Sequence, residues 1–317
     1  MGADNLPGCA VTGNPPVGRF APSPSGRMHL GNVFAALMAW LSVRSQGGSM
    51  VLRMEDLDPQ RCSREYADLI RQDLSWLGLD WDLETQPQSQ RSHVYAHYFN
   101  QLKELGLLYP CYCTRSQLHR LDAPHLSDGT YVYPGTCRNL SPQQQASFGR
   151  DPSWRIQVPD KLWTVNDLLQ GVYTENLLTD CGDFVLRRAD GLFVYQLAVT
   201  VDDAEAGVTQ VVRGLDLLSS ASRQMYLQSL LGFHTPTYGH IPLLLSADGQ
   251  RLSKRDQATD IGYLRQHTTP EKILGALAHA AGLIPEITPI SATELIPEFS
   301  WDKLCPTSIH IDPGSLL

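Results

Sequence analysis

A single stretch near the start of the chain, Gly18 to Asn32, limits the possible folds most strongly; it reads GRFAPSPSGRMHLGN. It begins in a short apolar segment, passes through a turn rich in proline and glycine, and leads into the unbroken apolar run Val33 to Leu41. This order predicts a strand, a loop and a helix. The unpaired N–H groups and the dipole at a helix N-terminus favour an anion. The stretch therefore predicts a phosphate-binding loop.

Three residues at the predicted helix start are candidates for contact with a nucleotide phosphate. His29 stands at the N-terminus, and its ring can hydrogen-bond a phosphate oxygen. Gly31 has no side chain, so the backbone there can approach a ligand closely, and Asn32 follows it. A histidine at a helix start is also common as a simple surface or capping residue, and both interpretations stay open at this point.

The chain then alternates between strand and helix patterns. A buried strand is predicted over 50–54, and apolar residues recur at helical spacing over 66–77 and 94–105, each followed by a glycine. Strands that alternate with helices indicate βαβ units and a mostly parallel sheet. The predicted fold class is therefore α/β.

The pattern changes in the middle of the chain. From 107 to 183 the periodicity weakens, and proline, glycine and polar residues accumulate. This is typical of an insertion between two halves of a sheet. Regular patterning returns with 183–188 and 192–197, which are predicted to be the strands of a hairpin, because Asp190-Gly191 between them favours a tight turn.

A second motif lies far downstream, at Arg251 to Arg255, where the sequence is RLSKR. Together with RFAPSP at 19–24 and HLGN at 29–32, it resembles the two signatures of class I aminoacyl-tRNA synthetases in their glutamyl form. The two motifs occur in the right order, at either end of a stretch the size of a catalytic domain. The resemblance covers about 17–260 and implies a Rossmann-like class I catalytic domain.

The resemblance and the patterns together divide the chain into five parts. These are a flexible N-terminal arm over 1–16, the first half of the catalytic domain over 17–106, an inserted zinc-binding subdomain over 107–183, the second half with the KMSKS-like loop over 184–255, and a short helical region over 256–317. The last part is expected to contain no anticodon-binding domain.

The resemblance also implies a glutamate site. Its six residues are Arg19, Ala21, Ser23, Glu55, Tyr195 and Arg213. Glu55 follows a predicted strand, at the place where open α/β sheets bind ligands, and its carboxylate could meet the α-ammonium of the substrate. A planar guanidinium binds a carboxylate in a bidentate manner that an amide cannot reproduce, so the two arginines favour glutamate over glutamine. A buried structural ion pair is the competing account of either arginine.

Activation of a carboxylate by ATP requires the protein mainly to position the reactants and to neutralise charge as pyrophosphate leaves. The resemblance implies that ATP, with Mg²⁺, contacts His29, Gly31, Asn32, Ser253 and Lys254, and that His29 and Lys254 are the catalytic residues. A lysine suits the leaving pyrophosphate because it is a compact charge on a flexible stem. A solvated basic turn is the alternative account of the second motif.

The sequence departs from the family pattern at both signatures. Asn32 occupies a position that is usually histidine, and Arg251-Leu252 stand where lysine and methionine are common. The missing histidine removes one donor on the phosphate side, which an asparagine amide replaces in part. We therefore expect a changed rate rather than a lost activity.

Three cysteines of the predicted insert, Cys111, Cys113 and Cys137, suggest a metal site. Three thiolates with one further ligand make a closed tetrahedral zinc site, which stabilises small subdomains that lack a core. Free buried thiols are the alternative. Spacing leaves the fourth ligand open among four nearby residues: His119, His125, Tyr131 and Tyr133. The resemblance indicates Tyr133, because Tyr133 and Cys137 match a Tyr-x-x-x-Cys arrangement of glutamyl-type enzymes.

Charge and composition limit the possible partners. The chain has 33 acidic and 25 basic residues and a net charge of −8, whereas proteins that wrap nucleic acid usually show a basic footprint. Any RNA contact should then be a local patch, although solubility alone also explains the charge.

The seven cysteines are odd in number and scattered, which argues against a disulfide framework. No apolar run reaches the ~18 residues that span a bilayer, and no signal peptide is recognisable. We expect a cytoplasmic monomer without membrane contact.

Only 62 of the 317 residues follow Arg255. Conventional glutamyl-tRNA synthetases carry large helical domains there that read the anticodon, so the chain resembles a shorter branch of the family. Members of that branch activate glutamate with ATP and attach it to the queuosine base in the anticodon loop of tRNA(Asp). The resemblance thus implies this activity, with L-glutamate, ATP and tRNA(Asp) as partners.

Three other functions remain open at this stage. The chain could be a truncated glutamyl-tRNA synthetase that charges the 3′ end of a tRNA, which the missing domain disfavours. It could be a small-molecule nucleotidyltransferase, which would not need Arg19, Tyr195, Arg213 and a zinc insert together. It could also be a non-catalytic binding protein, against which the intact His29 and Lys254 argue.

Overall fold

The computed structural model describes residues 14–114, 116–117, 132–246, 249 and 260–311. Several predicted features lie outside these parts. They are most of the N-terminal arm, the second signature with Ser253 and Lys254, and the candidate zinc ligands His119, His125 and Tyr131.

The strands of the described parts are β1 (Val17–Phe20), β2 (Ser49–Leu52), β3 (Leu83–Glu84), β4 (Leu108–Cys111), β5 (Ser153–Ile156), β6 (Leu162–Asp167), β7 (Gly171–Asn176), β8 (Phe184–Arg187), β9 (Gln210–Gly214), β10 (Thr237–Ile241), β11 (Leu244–Leu245) and β12 (Ile309–His310). The α-helices are α1 (Leu30–Arg44), α2 (Arg64–Trp76), α3 (Ser92–Glu104), α4 (Pro142–Ala146), α5 (Tyr195–Glu205), α6 (Leu218–Leu231), α7 (Ile261–His267) and α8 (Pro270–Ala280). None of these helices is long and apolar enough to cross a membrane.

Parallel strands form the centre of the fold. β1, β2 and β3 pair in that order, with α1 and α2 as the connections between them. β6, β10 and β9 also run parallel, and β7 adds an antiparallel edge strand to β6. The backbone N–H of Thr209 donates to the carbonyl of Val17 at 2.8 Å, which brings the start of β9 beside β1. The βαβ units and the mostly parallel sheets confirm the predicted α/β class.

The first helix, α1, packs against this sheet and is buried on nearly all sides. Eleven of the 15 residues of α1 are buried, as expected for a helix whose sequence is apolar all round. Gly18 allows the close packing, because a Cβ at this position in β1 would collide with the side chain of Val43. The tight contact holds the start of β1 against the end of α1, so the strand and the helix on either side of the loop are packed together.

The prediction of a strand over 192–197 is wrong. β8 forms as predicted, but Phe193 makes only one isolated bridge, to Arg187, and α5 begins at Tyr195. The apolar residues of this segment fit a helical period equally well, and α5 buries every residue from Leu197 to Asp203. The turn at Asp190-Gly191 therefore leads from a strand into a helix.

Strands on the two sides of the predicted boundary at residue 183 pair with each other. β8 pairs with β5, and β5 with β4, in an antiparallel sheet, whereas β6 and β7 extend the parallel sheet through β10. A helical C-terminal part is present as α7 and α8. The division of the chain into five parts stays a prediction.

Candidate active site

A cavity of about 420 Å³ opens where the parallel strands end. All six residues of the predicted glutamate site line it: Arg19, Ala21, Ser23, Glu55, Tyr195 and Arg213. Arg19 lies near the end of β1, Arg213 near the end of β9, and Tyr195 at the first position of α5. The fold thus brings together residues that are far apart in the chain, at the edge where open α/β sheets bind ligands.

The first signature forms the predicted loop and helix start. His29 caps α1, because its Nδ1 accepts a hydrogen bond from the N–H of Gly31 at 3.1 Å. The side-chain oxygen of Asn32 accepts in turn from the N–H of His29 at 3.2 Å, which completes a capping box. Since Nδ1 is the acceptor, a neutral His29 carries its proton on Nε2 and can donate it to an anion. Of these three residues only Asn32 is among the described residues that line the cavity.

The segment after the second signature returns to the first. Asp260, the first residue described beyond the signature, pairs with His29 in an antiparallel bridge. The N–H of Ile261 donates to the carbonyl of Met28 at 3.1 Å. Asp260 and Ile261, which follow the second signature by five and six residues, are therefore held beside the first signature.

Arg213 is buried, with 5% of its surface exposed. The hydrogen-bond partners described for its guanidinium are neutral groups. Nε donates to His240 Nε2 at 3.0 Å, and Nη2 donates to the Leu217 carbonyl at 3.2 Å. Nη1 donates to Gln224 Oε1 at 2.9 Å and to the Tyr195 hydroxyl at 3.4 Å. A buried cation surrounded by dipoles is suited to bind an anion that enters the cavity.

Arg19 belongs to a buried charge cluster behind the cavity. Its Nε lies 3.4 Å from Oδ1 of Asp203, while its Nη1 donates to the Val212 carbonyl at 3.1 Å. The predicted alternative for this arginine, a structural ion pair, is therefore present in the fold. Arg19 also lines the cavity, so it can serve both the pair and a ligand.

Arg53 holds the same cluster together. It is fully buried and lies 2.7 Å from Asp203, 3.2 Å from Glu55 and 3.8 Å from Asp202. Burial alone would raise the pKa of Asp203, but the charges of Arg53 and Arg19 outweigh it, so the pKa lies below its usual range. Asp203 is therefore ionised at neutral pH, and the cluster is a set of paired charges.

The positive charges of the nearby arginines offset the burial of the Glu55 carboxylate less completely than that of Asp203. Its side chain is 10% exposed, and burial raises its pKa above the usual range although Arg53 and Arg19 act against that. A cation that enters the cavity would favour the ionised form. The site can thus accept an ammonium group next to Glu55.

Sequence reasoning missed the buried partners of this site. Arg53, Asp202, Asp203, His240 and Gln224 were not predicted to take part. A signal existed for three of them, because Arg53 interrupts the apolar run MVLRM and two adjacent acids interrupt AVTVDDA. Charges inside apolar runs are rarely buried unless they are paired.

A second cavity of about 330 Å³ adjoins the first. The two share Ser23, Ser25, Glu55 and Tyr195. The second cavity has a mixed lining that includes apolar side chains and charged ones, among them Asp58, Arg61, Cys62, Arg188 and Phe193. A group placed in it would lie beside a molecule bound in the first cavity.

The predicted cysteine cluster forms away from the cavities. The sulfur atoms of Cys111, Cys113 and Cys137 lie within 4.8 Å of one another, with Cys113 and Cys137 3.6 Å apart. The Tyr133 hydroxyl lies 3.4 Å from Cys111 Sγ and 3.7 Å from Cys113 Sγ. Tetrahedral zinc with Zn–S of about 2.3 Å places sulfurs about 3.8 Å apart, and a phenolate oxygen somewhat closer. Arg155 donates to Cys111 Sγ at 3.3 Å, so a cation lies beside the cluster.

Comparisons with known proteins agree with this geometry. Residues 17–296 match the family of class I tRNA synthetases (E and Q), catalytic domain. The Glutamyl-Q tRNA(Asp) synthetase of Nitratidesulfovibrio vulgaris is 47% identical over 313 residues, which cover 95% of this chain and 96% of that protein. The protein of the same name from Symbiobacterium thermophilum is 45% identical, over 93% of this chain and 95% of that protein.

A solved structure extends the comparison to three dimensions. The crystal structure of a glutamate tRNA ligase from Elizabethkingia meningosepticum, in complex with its amino acid, superposes with a TM-score of 0.81 at 26% identity. The match covers 96% of this chain and 68% of that one. The predicted Rossmann-like class I catalytic domain is therefore confirmed. The chain belongs to the class I tRNA synthetases (E and Q) and, within them, to the glutamyl-Q tRNA(Asp) synthetases.

Proposed function

We propose that the protein uses ATP to activate L-glutamate and transfers the glutamyl group to the queuosine base in the anticodon loop of tRNA(Asp). The observation that carries this proposal is the meeting of all six predicted glutamate-site residues around one cavity of about 420 Å³. The names of the relatives support the same substrate and acceptor.

In this proposal the two ends of glutamate bind to opposite charges. The side-chain carboxylate lies between the guanidinium groups of Arg19 and Arg213, and the α-ammonium lies near Glu55. The partners of Arg213 support its role, because none of the hydrogen bonds described for its guanidinium is to an acid. Glutamine lacks the negative charge and should bind less well.

The nucleotide binds at the first signature. The N-terminus of α1 offers N–H groups and a positive dipole end, and Asn32 and the Nε2 proton of His29 lie at the same place. Gly31 leaves the backbone accessible to the phosphates, which bind with Mg²⁺. We assign Ser253 and Lys254 of the second signature to the leaving pyrophosphate. The bridge between Asp260 and His29 supports this, because Asp260 follows Lys254 by only six residues.

The acceptor base enters through the second cavity. It shares Glu55 and Tyr195 with the glutamate cavity, so a hydroxyl placed there can attack the carbonyl carbon of glutamyl adenylate. An ester bond forms between the hydroxyl oxygen and the carbonyl carbon, and the bond from that carbon to the phosphate oxygen breaks. AMP leaves with the electron pair, and the hydroxyl proton passes to water. Single-stranded loops present unstacked bases in the way this requires.

We also propose that Cys111, Cys113, Tyr133 and Cys137 hold one structural zinc ion. Their mutual distances fit a tetrahedral site. A bound zinc would cross-link β4 to the segment around Tyr133, and Arg155 would offset the negative charge of the ligands. With four protein ligands, the site would leave no open position for substrate.

The first prediction tests activation by itself. Because the motifs for ATP and glutamate are complete apart from Asn32, we expect glutamate-dependent exchange of pyrophosphate into ATP in the absence of any tRNA. Radiolabelled pyrophosphate incorporation measures this directly, with glutamine and aspartate as control amino acids. Exchange that requires tRNA, or that glutamine supports as well as glutamate, would contradict the proposed site.

The second prediction concerns the metal. We expect one zinc per chain by elemental analysis, and a lower melting temperature for Cys137→Ser, because one ligand of a closed site is lost. Cys305→Ser is the matched control, since Cys305 is an exposed free cysteine. Protein without zinc, or equal melting temperatures of the two variants, would refute the metal site.

A further inference from the structure

Three neighbouring parallel strands place an acid, a histidine and Arg213 side by side. Asp167 is the last residue of β6, and His240 and Arg213 are each the last but one of β10 and β9. His240 and Arg213 are direct partners in the register of β10 and β9. The three side chains therefore form a row across the end of the sheet, leading to the glutamate cavity.

The hydrogen bonds along this row have one consistent direction. Arg213 Nε donates to His240 Nε2 at 3.0 Å, and His240 Nδ1 lies 2.5 Å from Asp167 Oδ2. An Nε2 that accepts leaves the proton of the neutral ring on Nδ1, which donates to the carboxylate. Asp167 is itself held by the N–H groups of Leu169, Gln170 and His240. The acid thus fixes the tautomer of the histidine, and the histidine fixes one edge of the guanidinium.

The row requires a neutral histidine. His240 is fully buried, and burial lowers its pKa, with the positive charge of Arg213 acting in the same direction and Asp167 against it. A protonated ring would set an N–H against the N–H of Arg213. The neutral ring holds the arginine without pairing its charge, in contrast to Arg19, whose Nε lies beside the Asp203 carboxylate.

We propose that His240, oriented by Asp167, is a positioning residue for glutamate recognition: it holds the Arg213 guanidinium at the cavity while leaving its full charge for the side-chain carboxylate of the substrate. This inference rests on the proposed function, because it assumes that Arg213 contacts that carboxylate. A direct bond from an acid to Arg213 would give the same geometry but a weaker anion site. His240 itself does not touch the substrate in this account.

The test compares two substitutions of one residue in the full-length protein. His240→Leu removes the acceptor for Arg213 Nε, and we expect the KM for glutamate in pyrophosphate exchange to rise roughly 10- to 100-fold, with the KM for ATP changed less than about twofold. His240→Gln can place its amide oxygen near the former Nε2, so we expect it to recover most of the glutamate affinity. His234→Leu, at an exposed histidine, is the control and should behave as wild type.

A merely structural role for His240 gives a different pattern. Leucine and glutamine would then be equally harmful, or the KM values for glutamate and ATP would rise together; either result overturns the inference.

If His240→Leu does not fold, Asp167→Asn replaces it, since an amide facing Nδ1 favours the wrong tautomer and should also raise only the glutamate KM. Wild-type protein without glutamate-dependent exchange would refute the proposed function, whereas normal exchange with an unaffected His240→Leu would refute this inference alone.

Discussion

Replacing Arg213 with alanine is expected to reduce kcat/KM for glutamate in pyrophosphate exchange by roughly 100- to 1000-fold, about 3–4 kcal/mol. The reason is that a substrate carboxylate would enter a buried cavity whose cation, surrounded by neutral partners, has been removed. The effect should fall on the KM for glutamate and leave the KM for ATP nearly unchanged. The ratio of glutamate to glutamine activity should fall as well.

Two further variants make this prediction specific. Arg213→Lys retains a positive charge but loses the planar fork and the Nε donor to His240, so an intermediate loss is expected. Arg71→Ala is the control, because Arg71 pairs with Asp68 and Glu84 and is not among the described residues that line the cavity. A fall in kcat/KM of less than about fivefold for Arg213→Ala corresponds to about 1 kcal/mol or less. Such a result would show that the carboxylate binds elsewhere.

Replacing Arg53 with alanine should destabilise the fold by about 3–5 kcal/mol, the typical loss when one member of a buried ion pair is removed. Arg53 is fully buried among Asp203, Glu55 and Asp202. Arg19 and Arg91 remain near these acids, but they cannot replace the central charge. Urea unfolding at pH 7 measures the change, and Arg71→Ala should lose less, about 1 kcal/mol, because its ion pairs are partly exposed.

The dependence on pH provides an independent check of the same cluster. The pKa of Asp203 is lowered in the folded protein, so its contribution to stability is present above the ordinary aspartate pKa of about 3.9 and is lost as pH falls through the lower folded value. The stability gap between wild type and Arg53→Ala should therefore narrow at acid pH. A gap that is constant with pH, or one that widens on acidification, would indicate that Arg53 acts through packing alone.

The sequence predicts residues that line the cavity better than the buried residues behind them. Arg19, Glu55 and Arg213, which line the cavity, were predicted from the resemblance to a known family. Their partners were not, because the pairing of Arg53 with Asp203 joins the end of β2 to the end of α5, 150 residues later in the chain. Such a contact depends on tertiary packing, and no local pattern indicates which acid a buried arginine will meet.

The segment around Tyr195 shows a different limit. Its apolar residues satisfy both the period of a strand and that of a helix, so the local pattern could not distinguish them. Tertiary packing decides for the helix, because α5 buries Leu197 and Val201 and brings Asp202 and Asp203 to the charge cluster. Tyr195 lines the cavity in spite of the wrong element, because the resemblance concerned its position in the sequence and not its secondary structure.

The acceptor is the central claim of this account, and one measurement tests it most directly. Full-length protein is incubated with ATP, radiolabelled glutamate and queuosine-containing tRNA(Asp), and the tRNA is then cut by a nuclease into fragments. We predict that the label appears on the anticodon-loop fragment, and that tRNA(Asp) without queuosine remains unlabelled. Label on the 3′-terminal fragment, or equal labelling of tRNA(Glu), would contradict the account and identify a shortened enzyme that charges tRNA ends.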